Sequence, residues 1–113
     1  MKKTNILENL EYNEKKVLIT PLMETEISKE IRIVFKKDQI MKEHKAGYPI
    51  SVEIFEGEID FGVDGNIYNL IKGDIVVLEA NVKHDLKANA DSIVRLTLSK
   101  KDTVNRVKGV LKL

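Results

Sequence analysis

The feature that most constrains the fold is a series of short segments with alternating apolar and polar residues, bracketed by the only two histidines of the chain, His44 and His84. Successive side chains of a β-strand point to opposite sides, so alternation is typical of strands that bury one face. Residues 50–56 and 58–64 show it most clearly, with Ile50 among the apolar positions. The pattern predicts short strands joined by tight turns.

Turn-forming residues separate these segments. Asp64-Gly65 is a strong hairpin signal, and Glu56-Gly57 and Lys72-Gly73-Asp74 mark further turns. Gly47-Tyr48-Pro49 is expected to break or bulge the strand that contains His44, because proline has no N–H to donate. About eight or nine short strands with a turn roughly every ten residues indicate an all-β protein, a closed antiparallel barrel or jelly roll.

Three further segments complete the expected architecture. Residues 30–36 alternate, and residues 75–78 (IVVL) are apolar on both faces, which predicts a buried central strand. Residues 4–10 are predicted to form a short helix capped by Thr4, and a second short helix is expected after Asp102.

Composition limits the possible functions. The 113 residues suffice for a single domain, assigned to 1–113, and the 19 basic and 18 acidic residues leave a net charge of +1. This balance argues against a nucleic-acid partner, which would require a basic excess. The chain has no cysteine, so neither a disulfide nor a thiolate ligand is possible.

Membrane and export signals are missing from the sequence. No apolar run reaches the roughly 18 residues of a membrane span, and the N-terminus lacks the apolar core of a signal peptide. We therefore expect no membrane partner and a cytoplasmic location.

From His44 onward, the order of features resembles the cupin superfamily. His44 matches the first histidine of the first cupin motif, and Gly57 matches the glycine that ends it. Gly73 matches the start of the second motif, and His84 matches its histidine. The motif region covers about residues 40–98. The resemblance implies a cupin-type double-stranded β-helix, or jelly-roll barrel, with short helical segments at both termini.

The same resemblance implies a site at the two histidines. Cupins bind their metal with two histidines and a glutamate from the first motif and a histidine from the second. Here Ala46 occupies the second histidine position and Ile50 the glutamate position, so only His44 and His84 remain. A catalytic zinc or iron needs at least three protein ligands. If other groups supply the missing ligands, the resemblance implies one divalent ion, Zn, Fe, Ni or Mn, at this site.

The sequence allows three interpretations of the role of the histidine pair. The two side chains line a metal-free cavity and hydrogen-bond a polar ligand, or they hold a metal together with waters or a ligand carboxylate, or they are structural. Other candidate ligand-binding residues are Tyr48, Ile50, Phe61, Arg32 and Arg95. For the two arginines, the alternatives are an anion clamp inside the cavity and a position on the solvated face.

The leading expectation is a small-molecule-binding cupin with its pocket inside the barrel near His44 and His84. The alternative is a metal-dependent cupin enzyme of the dioxygenase or isomerase type. A homodimer is expected from the resemblance and from the uncovered N-terminal strand at residues 16–22.

Overall fold

The computed structural model describes residues 1–100, which form nine β-strands and no helix. The strands are β1 (Leu18–Glu24), β2 (Ser28–Phe35), β3 (Ile40–His44), β4 (Ile50–Glu56), β5 (Glu58–Val63), β6 (Asn66–Ile71), β7 (Ile75–Leu78), β8 (His84–Ala88) and β9 (Ser92–Ser99). They make two antiparallel sheets, a five-stranded one in the order β1-β2-β9-β4-β7 and a four-stranded one in the order β3-β8-β5-β6. This is the expected all-β jelly-roll architecture.

The core lies between the facing sides of the two sheets. Its members come from both sheets and include the fully buried Phe35, Ile54, Ile59 and Val94, with Phe61 2% exposed. In β4 and β5 the buried positions alternate with less buried ones, as the sequence pattern predicts. The apolar alternation therefore determines which face of each sheet points inward.

Both histidines lie at one end of this barrel. β3 ends at His44 and β8 begins at His84, and these two residues are register partners. At the same end β4 begins at Ile50, which pairs with Leu98 near the end of β9 and with Leu78 at the end of β7. We call it the histidine end.

The N-terminal segment lies across the outer face of the five-stranded sheet. The Nη1 atom of Arg32 donates hydrogen bonds to the carbonyl oxygens of Ile6 and Glu8, at 2.7 and 2.8 Å. The predicted helix at residues 4–10 is wrong, because this segment makes only tight turns. The Asn5 side chain accepts a bond from the Leu7 N–H at 2.8 Å, which favours a turn over a helix in a short segment.

The prediction of a buried central strand at residues 75–78 is also wrong. Among the strands of residues 1–100, β7 pairs with β4 alone and forms an edge of the five-stranded sheet. Ile75 is 62% exposed and Val77 70% exposed on its outer side. Apolar residues on both faces indicated burial, but the pairing order of distant strands puts β7 at the edge.

Two remaining expectations concern the C-terminal helix and a membrane span. The helix predicted after Asp102 lies outside the described residues. Within residues 1–100, the structure contains no helix long and apolar enough to cross a membrane.

Candidate functional site

The two histidines face each other across neighbouring strands at the histidine end. Their ring centroids are 4.3 Å apart, and the ring planes make an angle of 61°. An irregularity in the pairing of β3 and β8, between Met41 and His44, sets the final register. A bulge of this kind re-aims a side chain, and here it brings the two imidazoles into edge contact.

Hydrogen bonds to the backbone determine which ring nitrogens are free. The Nδ1 atom of His44 lies 2.7 Å from the Lys42 carbonyl oxygen, and that of His84 lies 3.0 Å from the Val82 carbonyl oxygen. A carbonyl only accepts hydrogen bonds, so Nδ1 is the donor in each pair. In the neutral ring Nε2 then carries a lone pair, and within residues 1–100 neither Nε2 atom has a hydrogen-bond partner.

The surroundings of His84 favour its neutral form. The residue is 4% exposed, and its ring stacks on Phe61 with centroids 5.7 Å apart and planes 13° from parallel. Burial lowers the pKa of His84, the hydrogen bond to the Val82 carbonyl opposes that shift, and the nearby His44 adds to it. At neutral pH His84 is therefore an uncharged hydrogen-bond acceptor.

The space enclosed beside the two rings is small. A cavity of about 20 Å³ is lined by Ile33, Met41, His44, Val52, His84, Leu86, Val94 and Leu96. About 10–15 Å³ of such volume is needed for one water molecule, so the cavity admits a water-sized group and no larger ligand. The interior of this barrel is a packed core, and a ligand has to approach from the histidine end.

A wider hollow lies at that same end. Its volume is about 420 Å³, and it is lined by Pro21, Leu22, Met23, Glu24, Lys29, Ile31 and Leu98. Ile31 is the register partner of Leu96, which also lines the small cavity beside the histidines. The two spaces are therefore lined by neighbouring side chains on the inner face of the five-stranded sheet.

The other predicted site residues divide into two groups. Ile50 and Phe61 lie in the core, 4% and 2% exposed, and Tyr48 is 40% exposed in the connection from β3 to β4. Arg32 and Arg95 lie on the outer face of the five-stranded sheet, because they alternate with inward-facing neighbours. The alternative that put these arginines inside the cavity is therefore wrong.

The two arginines have different environments on that outer face. Arg95 is exposed and forms ion pairs with Glu30 at 3.0 Å and with Glu53 at 3.6 Å. Arg32 is 4% exposed beneath the N-terminal segment. Alternation in residues 30–36 indicates the face of Arg32, but it gives no sign that a distant backbone segment covers it.

The described residues do not form a complete metal centre. Two Nε2 atoms are available, but within residues 1–100 no three His, Cys, Asp or Glu side chains lie close enough together to hold an ion. Asp85, next to His84 in sequence, packs against Gly62 on the opposite face of its sheet, where a Cβ on that glycine would lie 2.2 Å from Oδ1. We therefore derive no reaction step through a resident metal.

No protein-family model and no curated protein matches the chain. Among solved structures, an RmlC-like cupin from Desulfovibrio desulfuricans aligns with a TM-score of 0.80 at 24% identity, over 88% of this chain and 96% of that chain. An RmlC-like cupin from Shewanella frigidimarina aligns with a TM-score of 0.74 at 22% identity, covering 90% and 96%. The chain has the cupin fold.

A third neighbour supports the same assignment. A cupin 2 conserved barrel domain protein from Leptotrichia buccalis shares 29% identity with a TM-score of 0.73, over 80% of this chain and 44% of that chain. The cupin-type barrel expected from the histidine and glycine positions is thus confirmed as a fold. The same barrel supports many chemistries, so the fold alone does not determine the function of this protein.

Proposed function

We propose that this cupin binds a small molecule at the histidine end, where a hydroxyl or amino group of the ligand donates hydrogen bonds to the Nε2 atoms of His44 and His84. The observation that carries the proposal is the pair of free acceptors, each oriented by an Nδ1 hydrogen bond to the backbone. A ligand donor or an ordered water supplies the hydrogen bond that each free Nε2 atom lacks within residues 1–100.

The size of the neighbouring spaces determines how such a ligand sits. The cavity of about 20 Å³ receives only its donor group, and the rest of the molecule lies over the hollow of about 420 Å³. That volume falls in the range of small-ligand pockets, roughly 300–1,000 Å³. Ile31 and Leu98 offer the ligand an apolar surface, and Glu24 and Lys29 offer charged groups at its rim.

The two histidines provide a direct test. The chain contains 2 histidines, so a ¹H–¹³C spectrum of the imidazole Cε1–Hε1 groups shows one signal from each. Small polyols and primary amines are titrated one at a time. We expect at least one of them to shift both histidine signals together and to raise the melting temperature. In His44→Gln the response of the His84 signal should weaken, while Lys42→Gln, which keeps the backbone carbonyl, should respond like the wild type. If no probe of either class moves the signals, the proposal fails.

A metal-dependent cupin enzyme is the second candidate, and the orientation of the rings is compatible with it. Metal-binding histidines commonly donate one ring N–H to a carbonyl and coordinate through the other nitrogen, as both rings here are arranged to do. In this candidate the substrate has to supply the ligands that the chain lacks.

Titration with Zn²⁺ and Ni²⁺ alone separates the two candidates. One equivalent of tightly bound ion per chain, lost in both His44→Gln and His84→Gln, would favour the enzyme. Weak binding that is unchanged by either substitution would exclude the metal candidate and leave small-molecule binding.

A further inference from the structure

The buried guanidinium of Arg32 lies on the outer face of the five-stranded sheet, opposite the inner face that lines the histidine cavity. Both Nη1 protons are used by the carbonyl oxygens of Ile6 and Glu8, at 2.7 and 2.8 Å. The Nε atom is fully buried and finds no hydrogen-bond partner among residues 1–100. Within residues 1–100, Arg32 also forms no ion pair, although the residue is only 4% exposed.

This arrangement leaves a positive charge without a counter-ion in a poorly solvated position. A buried charge without a partner is expensive, and so is a buried donor without an acceptor. The Nε–H and the N–H groups of Nη2 lie on one edge of the planar guanidinium, opposite the edge that the two carbonyls occupy. In general this edge of an arginine binds a carboxylate or a phosphate through two parallel hydrogen bonds, and here the covering atoms around Nε have to shift before an anion forms the second of them.

A hollow borders the same side chain. Its volume is about 260 Å³, and it is lined by Thr4, Asn5, Glu8, Asn9, Thr20, Pro21, Leu22 and Arg32. Thr20 is the register partner of Arg32, so the two side chains lie next to each other on one face. Hydroxyl and amide groups around a guanidinium are the donors that a bound oxyanion requires.

We propose that Arg32 anchors a second ligand site, which binds the carboxylate or phosphate group of a small anion beneath the N-terminal segment. The hollow at Arg32 and the wider hollow at the histidine end share Pro21 and Leu22, but Arg32 lies on the outer face of β2, opposite the inward-facing Ile31 and Ile33. Glu8 also lines the hollow and makes no ion pair with Arg32 within residues 1–100. Its negative charge restricts the site to anions that reach the guanidinium directly.

A purely structural role for Arg32 makes a different prediction. As a clamp for the N-terminal segment, Arg32 needs only its Nη1 bonds to Ile6 and Glu8. The free edge of the guanidinium then has no function, and anions should bind no better here than elsewhere on the surface.

The test follows the Nε–H group itself. The chain has three arginines, Arg32, Arg95 and Arg106, which give three ¹H–¹⁵N side-chain signals. Arg95→Lys and Arg106→Lys identify the Arg32 signal by elimination without altering Arg32. We expect inorganic phosphate or acetate, compared with chloride at equal ionic strength, to shift the Arg32 signal in a saturable way. A response to phosphate alone identifies a phosphate site, and a response to acetate alone identifies a carboxylate site.

Two substitutions at Thr20 supply the matched control. Thr20→Glu puts a carboxylate beside the guanidinium and should weaken anion binding by about tenfold or more, since one charged hydrogen-bonded partner contributes about 1.5–3 kcal/mol. Thr20→Gln has the same length without the charge and should keep the response. The proposal is overturned if neither anion shifts the Arg32 signal in the wild type, or if folded Thr20→Glu responds as strongly as Thr20→Gln.

Discussion

Substitution of Gly57 by alanine should destabilise this barrel far more than substitution of other turn glycines. Gly57 is the single residue between β4 and β5, and its φ is +93°. A Cβ at this position would lie 2.2 Å from Ser92 Oγ, 2.5 Å from the Asp91 carbonyl oxygen and 2.7 Å from Ser92 Cα. Two of these three atoms belong to the backbone, so no side-chain rotation relieves the overlap.

The expected loss of stability can be built from two contributions. The left-handed conformation costs a non-glycine residue about 1–2 kcal/mol. Ser92 Oγ accepts a hydrogen bond from the Glu58 N–H at 3.0 Å and donates one to the Ala90 carbonyl at 2.7 Å, in a fully buried position. Displacing it leaves buried groups without partners, at a cost of about 1–3 kcal/mol. Together these contributions predict that Gly57→Ala lowers the free energy of unfolding by about 2–5 kcal/mol.

Gly65→Ala is the matched control for this measurement. Gly65 has a similar φ of +78°, but within residues 1–100 no atom beyond its two chain neighbours lies within 4 Å of the position that an alanine Cβ would take there. Urea unfolding should therefore show a loss of only about 1–2 kcal/mol for Gly65→Ala. Adding Ser92→Ala to Gly57→Ala should not restore stability, because the Asp91 carbonyl stays in place. Equal losses in the two alanine variants, or full rescue by Ser92→Ala, would refute the steric argument.

Three other predictions concern the histidine end and the edge of the sheet. Burial lowers the pKa of His84 in the folded state, so below about pH 6.5 the unfolded chain binds more protons than the folded one and the free energy of unfolding should fall as the pH drops. Urea unfolding of the wild type and of His84→Gln at several pH values should show this fall in the wild type and a smaller one in the variant. Phe61→Ala should cost about 3–5 kcal/mol and shift the His84 imidazole signal, since Phe61 stacks on that ring; calorimetry and NMR test both. We still expect a homodimer through edge strand β1, and Ile19→Lys, at a residue 57% exposed, should yield folded monomer in sedimentation velocity.

Much of the barrel is encoded locally and could be predicted from the sequence. Residues 50–56 and 58–63 reveal their inward faces because a half-buried strand repeats every two residues. Asp64-Gly65 has positive φ at both residues, +51° and +78°, as a two-residue hairpin turn requires. At such positions the local residue types determine the backbone conformation, and contacts with distant residues are not needed.

The wrong predictions concern features that depend on residues far away in the sequence. β7 is apolar on both faces, but its place at the edge follows from the order in which β9, β4 and β7 pair. Arg32 looks like a surface or cavity arginine in its own segment, and its true acceptors are backbone carbonyls 24 and 26 residues away. A main-chain acceptor leaves no trace in the sequence, so neither the buried position nor the free edge of the guanidinium could be predicted.

The histidine pair shows how a site can keep its geometry without a complete set of ligands. Each ring is oriented by the carbonyl two residues before it in sequence, Lys42 for His44 and Val82 for His84. These contacts are local, so they persist whether or not a third metal ligand is present. The free Nε2 atoms are therefore preorganised equally well for a ligand hydroxyl and for an ion, and orientation alone does not discriminate between them. Discrimination depends on the missing carboxylate, since two neutral imidazoles do not compensate the charge of a divalent cation, whereas they satisfy a hydrogen-bond donor fully. This difference favours the binding of a small molecule.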